Sequence, residues 1–203
     1  MDKDPFNLVV CGVGGQGNVL ASRLIGGILV EQGYKVTIGE TYGASQRGGS
    51  VMSHVRVSKA QQYGPLMPPG SADLVVALEP SEAARVLAQF GNPETISVVN
   101  TRPVQPVDVI SGGAPYPDLN LLLERIDSLS KKAYFLEATE KALELGNPIL
   151  ANIVLIGAMA EAGLLSVSEN ELARIVSEYL SPDKVEINLK AFEIGRDMVR
   201  TGT

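Results

Sequence analysis

The chain has 203 residues, 45% of them apolar and 20% charged, which fits one globular domain spanning residues 1–203 around a single continuous core. A formal net charge of −6, with no basic stripe, argues against nucleic acid as a partner, and no apolar run approaches the roughly 20 residues that span a bilayer. The polar, acidic start MDKDPFN does not fit a secretory signal, so the expected location is the cytoplasm, and the single cysteine, Cys11, rules out an internal disulfide or a four-thiolate iron–sulfur cluster built by this chain alone.

Residues 6–11 form a Val-rich apolar run that ends in glycines, and residues 17–32 carry apolar side chains at helical spacing. That pattern predicts strand, tight turn and helix. Gly33 stands where a helix C-terminal glycine belongs, and residues 35–38 are β-branched enough for a second strand, completing a right-handed βαβ unit. From 51 to 57, Val51, Ser53, Val55 and Val57 share one face of a third strand, while Met52, His54 and Arg56 share a face expected to be exposed or to line a site. The Pro- and Gly-rich residues 63–70 predict a loop, and residues 73–78 a fully buried strand.

A helix capped by Ser81 and running to about Gln89 is expected next, then a strand at 95–100 and a further short strand at 104–110. The last third is predicted helical at 120–128, 138–145, 148–162, 168–180 and 182–200, with one more strand near 133–136. Ser168 with Glu171 fits a capping box, and Pro182 suits a helix first turn. The fold class is therefore α/β: a single-domain three-layer sandwich with a mostly parallel, Rossmann-like sheet and a helical C-terminal third.

Gly12, Gly14, Gly15, Gln16 and Gly17 lie in a G-x-G-x-x-G pattern between a predicted strand and a predicted helix, the context that motif requires. Glycines permit positive φ and close backbone approach, and the helix amino end offers N–H groups to an anion. The same glycines equally permit a tight turn and close helix–sheet packing with no ligand. A dinucleotide site would need an acidic residue about 20 positions on, and Glu40 stands there. A small NAD- or flavin-binding enzyme is accordingly one alternative, although no second domain or set of substrate-handling residues accompanies the turn.

His54 is the only histidine, so no His-rich metal site is available and no metal is expected on this chain. With no G-x-S-x-G nearby, a structural or partner-facing role suits His54 better than hydrolase chemistry. Cys11 reads as a small buried residue, with a helix amino end beside it as the one feature favouring reactivity. The segment 41–50 is too glycine-rich for a regular element, yet it carries Tyr42, Gly43, Gln46, Arg47, Gly48 and Gly49. A guanidinium on such a loop suits a phosphate or carboxylate; an ordinary turn with a solvated arginine is the other reading.

These blocks, together with Glu40-Thr41-Tyr42-Gly43, Val55-Arg56-Val57-Ser58, the run 72–83, Gly146-Asn147-Pro148 with Asn152, and Asn188 with Ala191-Phe192, span nearly the whole chain in order. The sequence resembles the gamma subunit or domain of 2-oxoacid:ferredoxin oxidoreductases of pyruvate, ketoisovalerate or indolepyruvate, and especially the small beta subunit of indolepyruvate oxidoreductases. The resemblance implies a small subunit, inactive alone, of an enzyme that oxidatively decarboxylates a 2-oxoacid to an acyl-coenzyme A and passes electrons to ferredoxin. It implies thiamine diphosphate, Mg and iron–sulfur clusters on a larger partner subunit, with coenzyme A as co-substrate. No cofactor is expected to bind tightly to this chain alone, and the isolated chain is expected to self-associate. The candidate binding residues are the Gly12–Gly17 turn, Tyr42, Gly43, Gly48 and Gly49, with Arg47 as anion donor, Gln16 as its polar neighbour and Glu40 as ion-pair partner or ribose ligand. Asn147 and Asn152 read as loop and helix-start fasteners. A purely structural assembly subunit, whose loops are all interface, is the third reading.

Overall fold

Every residue of Phe6–Val13 after the first is buried, as expected of a strand covered on both faces, and this strand (β1) stands inside the sheet. The computed structural model describes residues 3–43, 48–105, 107–113 and 115–202. After β1 come α1 (Asn18–Glu31), β2 (Lys35–Tyr42), β3 (Ser50–Ser58), β4 (Leu74–Ala77), α2 (Pro80–Phe90), β5 (Ile96–Asn100) and α3 (Val107–Ile110). They are followed by α4 (Leu119–Ser128), β6 (Lys132–Leu136), α5 (Ala138–Glu144), α6 (Ala151–Glu161), α7 (Glu169–Tyr179) and α8 (Val185–Thr201). Short 3-10 turns at Pro148–Leu150 and Pro182–Lys184 lead into α6 and α8.

The described strands form one six-stranded sheet in the order β2-β3-β1-β4-β5-β6. β1, β4, β5 and β6 run parallel, and only β3 runs against its neighbours. Alternation along β1 sends Leu8 and Val10 to one face, where Leu24 and Ile28 of α1, Ile153 of α6 and Phe192 of α8 complete the core. Val9 and Cys11 point the other way, against Val86 and Phe90 of α2 and Ile126 of α4. The result is the expected three-layer α/β sandwich. α6 is buried from Ala151 to Met159, the mark of a helix enclosed on all sides; it lies between the sheet and α8.

Three sequence expectations change. The described residues of 104–110 add no strand; Val107–Ile110 is a single helical turn, because a β-branched run after a sheet strand can only join the ladder where a free edge is within reach. α2 is capped by Glu79, whose carboxylate accepts the Glu82 amide at 2.9 Å, and Ser81 lies inside the helix. β3 is covered on both faces: Met52 and His54 are buried beside Met67 of the 63–70 region and Phe90. The β2–β3 hairpin inserts β3 between β1 and β2, which run parallel to each other across it. The capping box at Ser168 and Glu171 and the positive-φ Gly33 after α1 are as expected.

Candidate functional site

Chain connections after β1 lead to one side of the sheet and those after β4 to the other, so the crevice between the ends of β1 and β4 is the topological switch point, where open α/β sheets receive ligands. The four parallel strands deliver their following segments to this edge: Gly14–Gln16 after β1, Leu78 after β4, Arg102 and Val104 after β5, and Thr139 after β6. With Leu143 and the segment from Asn147 to Ile149 they enclose a cleft of about 510 Å³.

The glycine-rich turn is built for this place. Gly15 and Gly17 have φ of +109° and +84°, a region that favours glycine. Gly17 is the N-cap of α1, with no side-chain cap and no acidic residue in the first turn, so the first-turn amides keep their partial positive charge. Gln16 is engaged at both ends: its Oε1 accepts the Val13 amide at 2.7 Å and its Nε2 donates to the Leu78 carbonyl at 2.8 Å. It is therefore a brace across the switch point, joining β1 to β4. Asn152 and Asn18 also hold the turn, Asn152 reaching the Gly17 carbonyl at 3.5 Å and Asn18 the Val13 carbonyl at 3.2 Å.

Because β3 runs antiparallel to β1 with Ser50 opposite Val13, the hairpin loop comes to the same edge. The Gly14 amide donates to the Gly49 carbonyl at 2.8 Å, and the Gly48 amide donates to the Gly14 carbonyl at 3.3 Å. Gly43 donates to the Ser50 carbonyl at 2.8 Å and closes the hairpin. The structure thus brings the two glycine segments together, as the sequence suggests. Gln46 and Arg47, the expected anion donor, lie outside the described residues.

Glu40 stands apart from the turn. It is opposite Ser53, which is opposite Val10, so two inter-strand spacings of about 4.8 Å separate it from β1. Its carboxylate accepts the Tyr42 hydroxyl and lies 3.8 Å from Arg23 of α1; the bond to Glu40 raises the Tyr42 pKa. A dinucleotide site needs the acidic residue on the strand beside β1, and β3 occupies that position.

Sequence reasoning passed over Arg102 and Thr139, which line the cleft. The available signal was their position, just past the carboxyl ends of β5 and β6. Hydrogen bonding sets what the cleft offers. Asn100, fully buried at the end of β5, accepts the Thr139 amide at 3.1 Å, which fixes its amide orientation, and donates to Leu78 O at 3.0 Å and Thr139 Oγ1 at 2.9 Å. The Thr139 hydroxyl is left with its proton to give. Asn147 accepts the Ile149 amide at 3.1 Å through Oδ1, leaving its NH₂ to donate. Arg102 adds a half-exposed guanidinium. Donors of one kind beside apolar Leu78, Val104, Leu143, Pro148 and Ile149 suit an amphipathic anion; among the described residues no carboxylate lines the cleft.

Across the switch point the buried carboxylates of Glu79 and Glu82 are structural. Glu79 accepts from Tyr116, Ser81 and the Glu82 amide; burial and this contact raise the Tyr116 pKa. Glu82 accepts Ser50 Oγ at 2.5 Å and Arg85 at 2.6 Å, tying the start of β3 to α2. Cys11 is fully buried, and burial, reinforced by the Glu82 charge, pushes its thiol pKa far up, which suppresses the thiolate. His54 is buried against the Phe90 ring.

Comparison with known proteins agrees with this architecture. The model of the family "Pyruvate ferredoxin/flavodoxin oxidoreductase" matches residues 7–198. The chain is 36% identical over 191 residues, 94% of each chain, to indolepyruvate oxidoreductase subunit IorB of Thermococcus kodakarensis. It is 31% identical to the pyruvate/ketoisovalerate oxidoreductases common subunit gamma of Pyrococcus abyssi, covering 89% of each. In fold it resembles the keto/oxoacid ferredoxin oxidoreductase gamma subunit of Geobacter sulfurreducens, with a TM-score of 0.67, 22% identity, and 97% and 99% of the two chains covered. It also resembles a part, 32%, of the 2-oxoglutarate:ferredoxin oxidoreductase of Magnetococcus marinus with 2-oxoglutarate, coenzyme A and succinyl-CoA bound, with a TM-score of 0.75, 23% identity and the whole of this chain covered.

Proposed function

Because the chain belongs to the pyruvate ferredoxin/flavodoxin oxidoreductase family, we propose that it serves as the small subunit of an oxidoreductase acting on an aryl pyruvate such as indolepyruvate. In this reading a larger subunit carries thiamine diphosphate with Mg and the iron–sulfur clusters; the complex decarboxylates the 2-oxoacid, releases an acyl-coenzyme A and delivers the electrons to ferredoxin. The chain works in the cytoplasm. Its single cysteine accords with clusters held elsewhere, since each needs several thiolates.

The observation that carries the chain's own part is the donor-lined cleft at the switch point. Coenzyme A fits its chemistry: Arg102, Thr139, Asn147 and the Gly14–Gln16 turn before α1 would hold a phosphate or diphosphate, and Leu78, Val104 and Ile149 would flank the less polar arm. When bound, coenzyme A supplies the thiol that accepts the acyl group; this chain binds and orients it.

The test has two parts. Anaerobic capture of the tagged chain from its native cells is expected to bring down a larger thiamine- and cluster-binding subunit, with indolepyruvate-dependent dye reduction in the eluate. Titration of coenzyme A into the captured complex is expected to give binding that Arg102→Ala weakens at least about ten-fold, the worth of a charged hydrogen bond. Capture with activity but unchanged coenzyme A affinity in Arg102→Ala would leave the chain an assembly subunit. Recovery of the chain alone, without activity, would remove the oxidoreductase reading.

A further inference from the structure

Two arginine–glutamate pairs stand near the switch point and differ in kind. Arg85 binds Glu82 through both Nε at 3.0 Å and Nη2 at 2.6 Å, and Ser50 satisfies the other carboxylate oxygen. That pair is complete and buried on the acid's side. Arg102 meets Glu140 through a single contact, Nη1 to Oε1 at 3.2 Å. The second oxygen, Oε2, is shielded from solvent and has no hydrogen-bond partner among the described residues. A carboxylate oxygen removed from water with no donor in return makes its site costly to hold.

The surroundings give the incomplete pair a role. The cleft beside Arg102 offers donors, and the carboxylate that meets its guanidinium, Glu140, does not line the cleft. Glu140 lies in the first turn of α5, and both partners are nearly half exposed. A guanidinium has five N–H donors in a fixed fork, and Glu140 accepts from Nη1 alone.

We infer that Glu140 is an internal competitor for Arg102: it holds the guanidinium at the cleft rim until a ligand's phosphate takes its place, and so sets how strongly the cleft binds an anion. This rests on reading the cleft as an anion site and adds the residue that tunes it. Exchange of one oxyanion for another needs no change of fold. A phosphate can engage the fork bidentately, whereas Glu140 does not.

The probe is inorganic pyrophosphate, titrated calorimetrically into the full chain and its variants, with coenzyme A titrated separately. Glu140→Gln is expected to bind pyrophosphate about three- to five-fold tighter than the unaltered chain, the range of a partly exposed ion pair. Arg102→Ala is expected to bind at least about ten-fold more weakly. In the Arg102→Ala background, Glu140→Gln should leave affinity unchanged within about two-fold, since the competition runs through Arg102. Equal tightening in both backgrounds would mean general charge repulsion and overturn the inference, as would no tightening at all. Pyrophosphate results as expected with no coenzyme A binding would overturn the coenzyme A reading alone. Coenzyme A binding that Glu140→Gln leaves unchanged would overturn the competitor alone, and failure of both probes on every variant would overturn both.

Discussion

Gly14 and Gly49 are joined by a 2.8 Å hydrogen bond, with the Gly48 amide donating to the Gly14 carbonyl in turn, so the strand–helix turn and the hairpin loop are one backbone unit although 34 residues of sequence lie between Gly14 and Gly49. Gly48 holds φ at +73°. Gly48→Ala is expected to lower stability by about 1–2 kcal/mol, the cost of a left-handed non-glycine residue. It should also weaken pyrophosphate binding through displacement of Gly14. Chemical denaturation and calorimetry check the two effects; an unchanged denaturation midpoint would show that the loop does not brace the turn.

A helix crossing gives a prediction whose sign is diagnostic. A Cβ at Gly157 would fall 2.0 Å from the Phe192 carbonyl oxygen, and one at Gly195 would fall 1.9 Å from that of Val154. α6 and α8 therefore meet backbone to backbone. Helix propensity alone would make glycine to alanine stabilising by about 1 kcal/mol. The crossing reverses this: Gly157→Ala and Gly195→Ala should each destabilise by about 3 kcal/mol or more. A rise in melting temperature in either variant would refute the contact.

Asn100 makes three bonds across the ends of β4, β5 and α5. Asn100→Ala strips the Thr139 amide of its acceptor and the Leu78 carbonyl of one of two donors, at an expected cost of about 1–3 kcal/mol. The same change should weaken pyrophosphate binding without touching the cleft directly. Thr139→Ser keeps the hydroxyl and should bind as the unaltered chain does. Binding that Asn100→Ala leaves intact would show that Thr139 needs no positioning.

Burial, with the Arg56 charge adding to it, lowers the His54 pKa below its ordinary 6.5. The folded chain therefore binds fewer protons at this site than the unfolded chain, and stability from His54 is present above pH 6.5 and lost as pH falls through that value toward the folded pKa. Melting temperature should drop more steeply between pH 7 and about pH 5 in the unaltered chain than in His54→Gln, which has no imidazole to charge. Parallel curves for the two would contradict a neutral, buried His54.

What the sequence determined by itself is local. Alternation and glycine placement predict β1, the turn and α1, because strand and helix periods are properties of consecutive residues; motif blocks in order predict the family. Glu40 illustrates the limit: counting positions brings it near the dinucleotide acid, yet the inserted β3 carries it two strands from β1. The cleft was equally hidden. Arg102, Thr139 and Asn147 come from separate segments with no shared spacing, and they converge only because parallel strands deliver their following loops to one edge of the sheet. Strand order and donor direction are set by non-local pairing, where a backbone partner dozens of residues away decides which side chains face the same space.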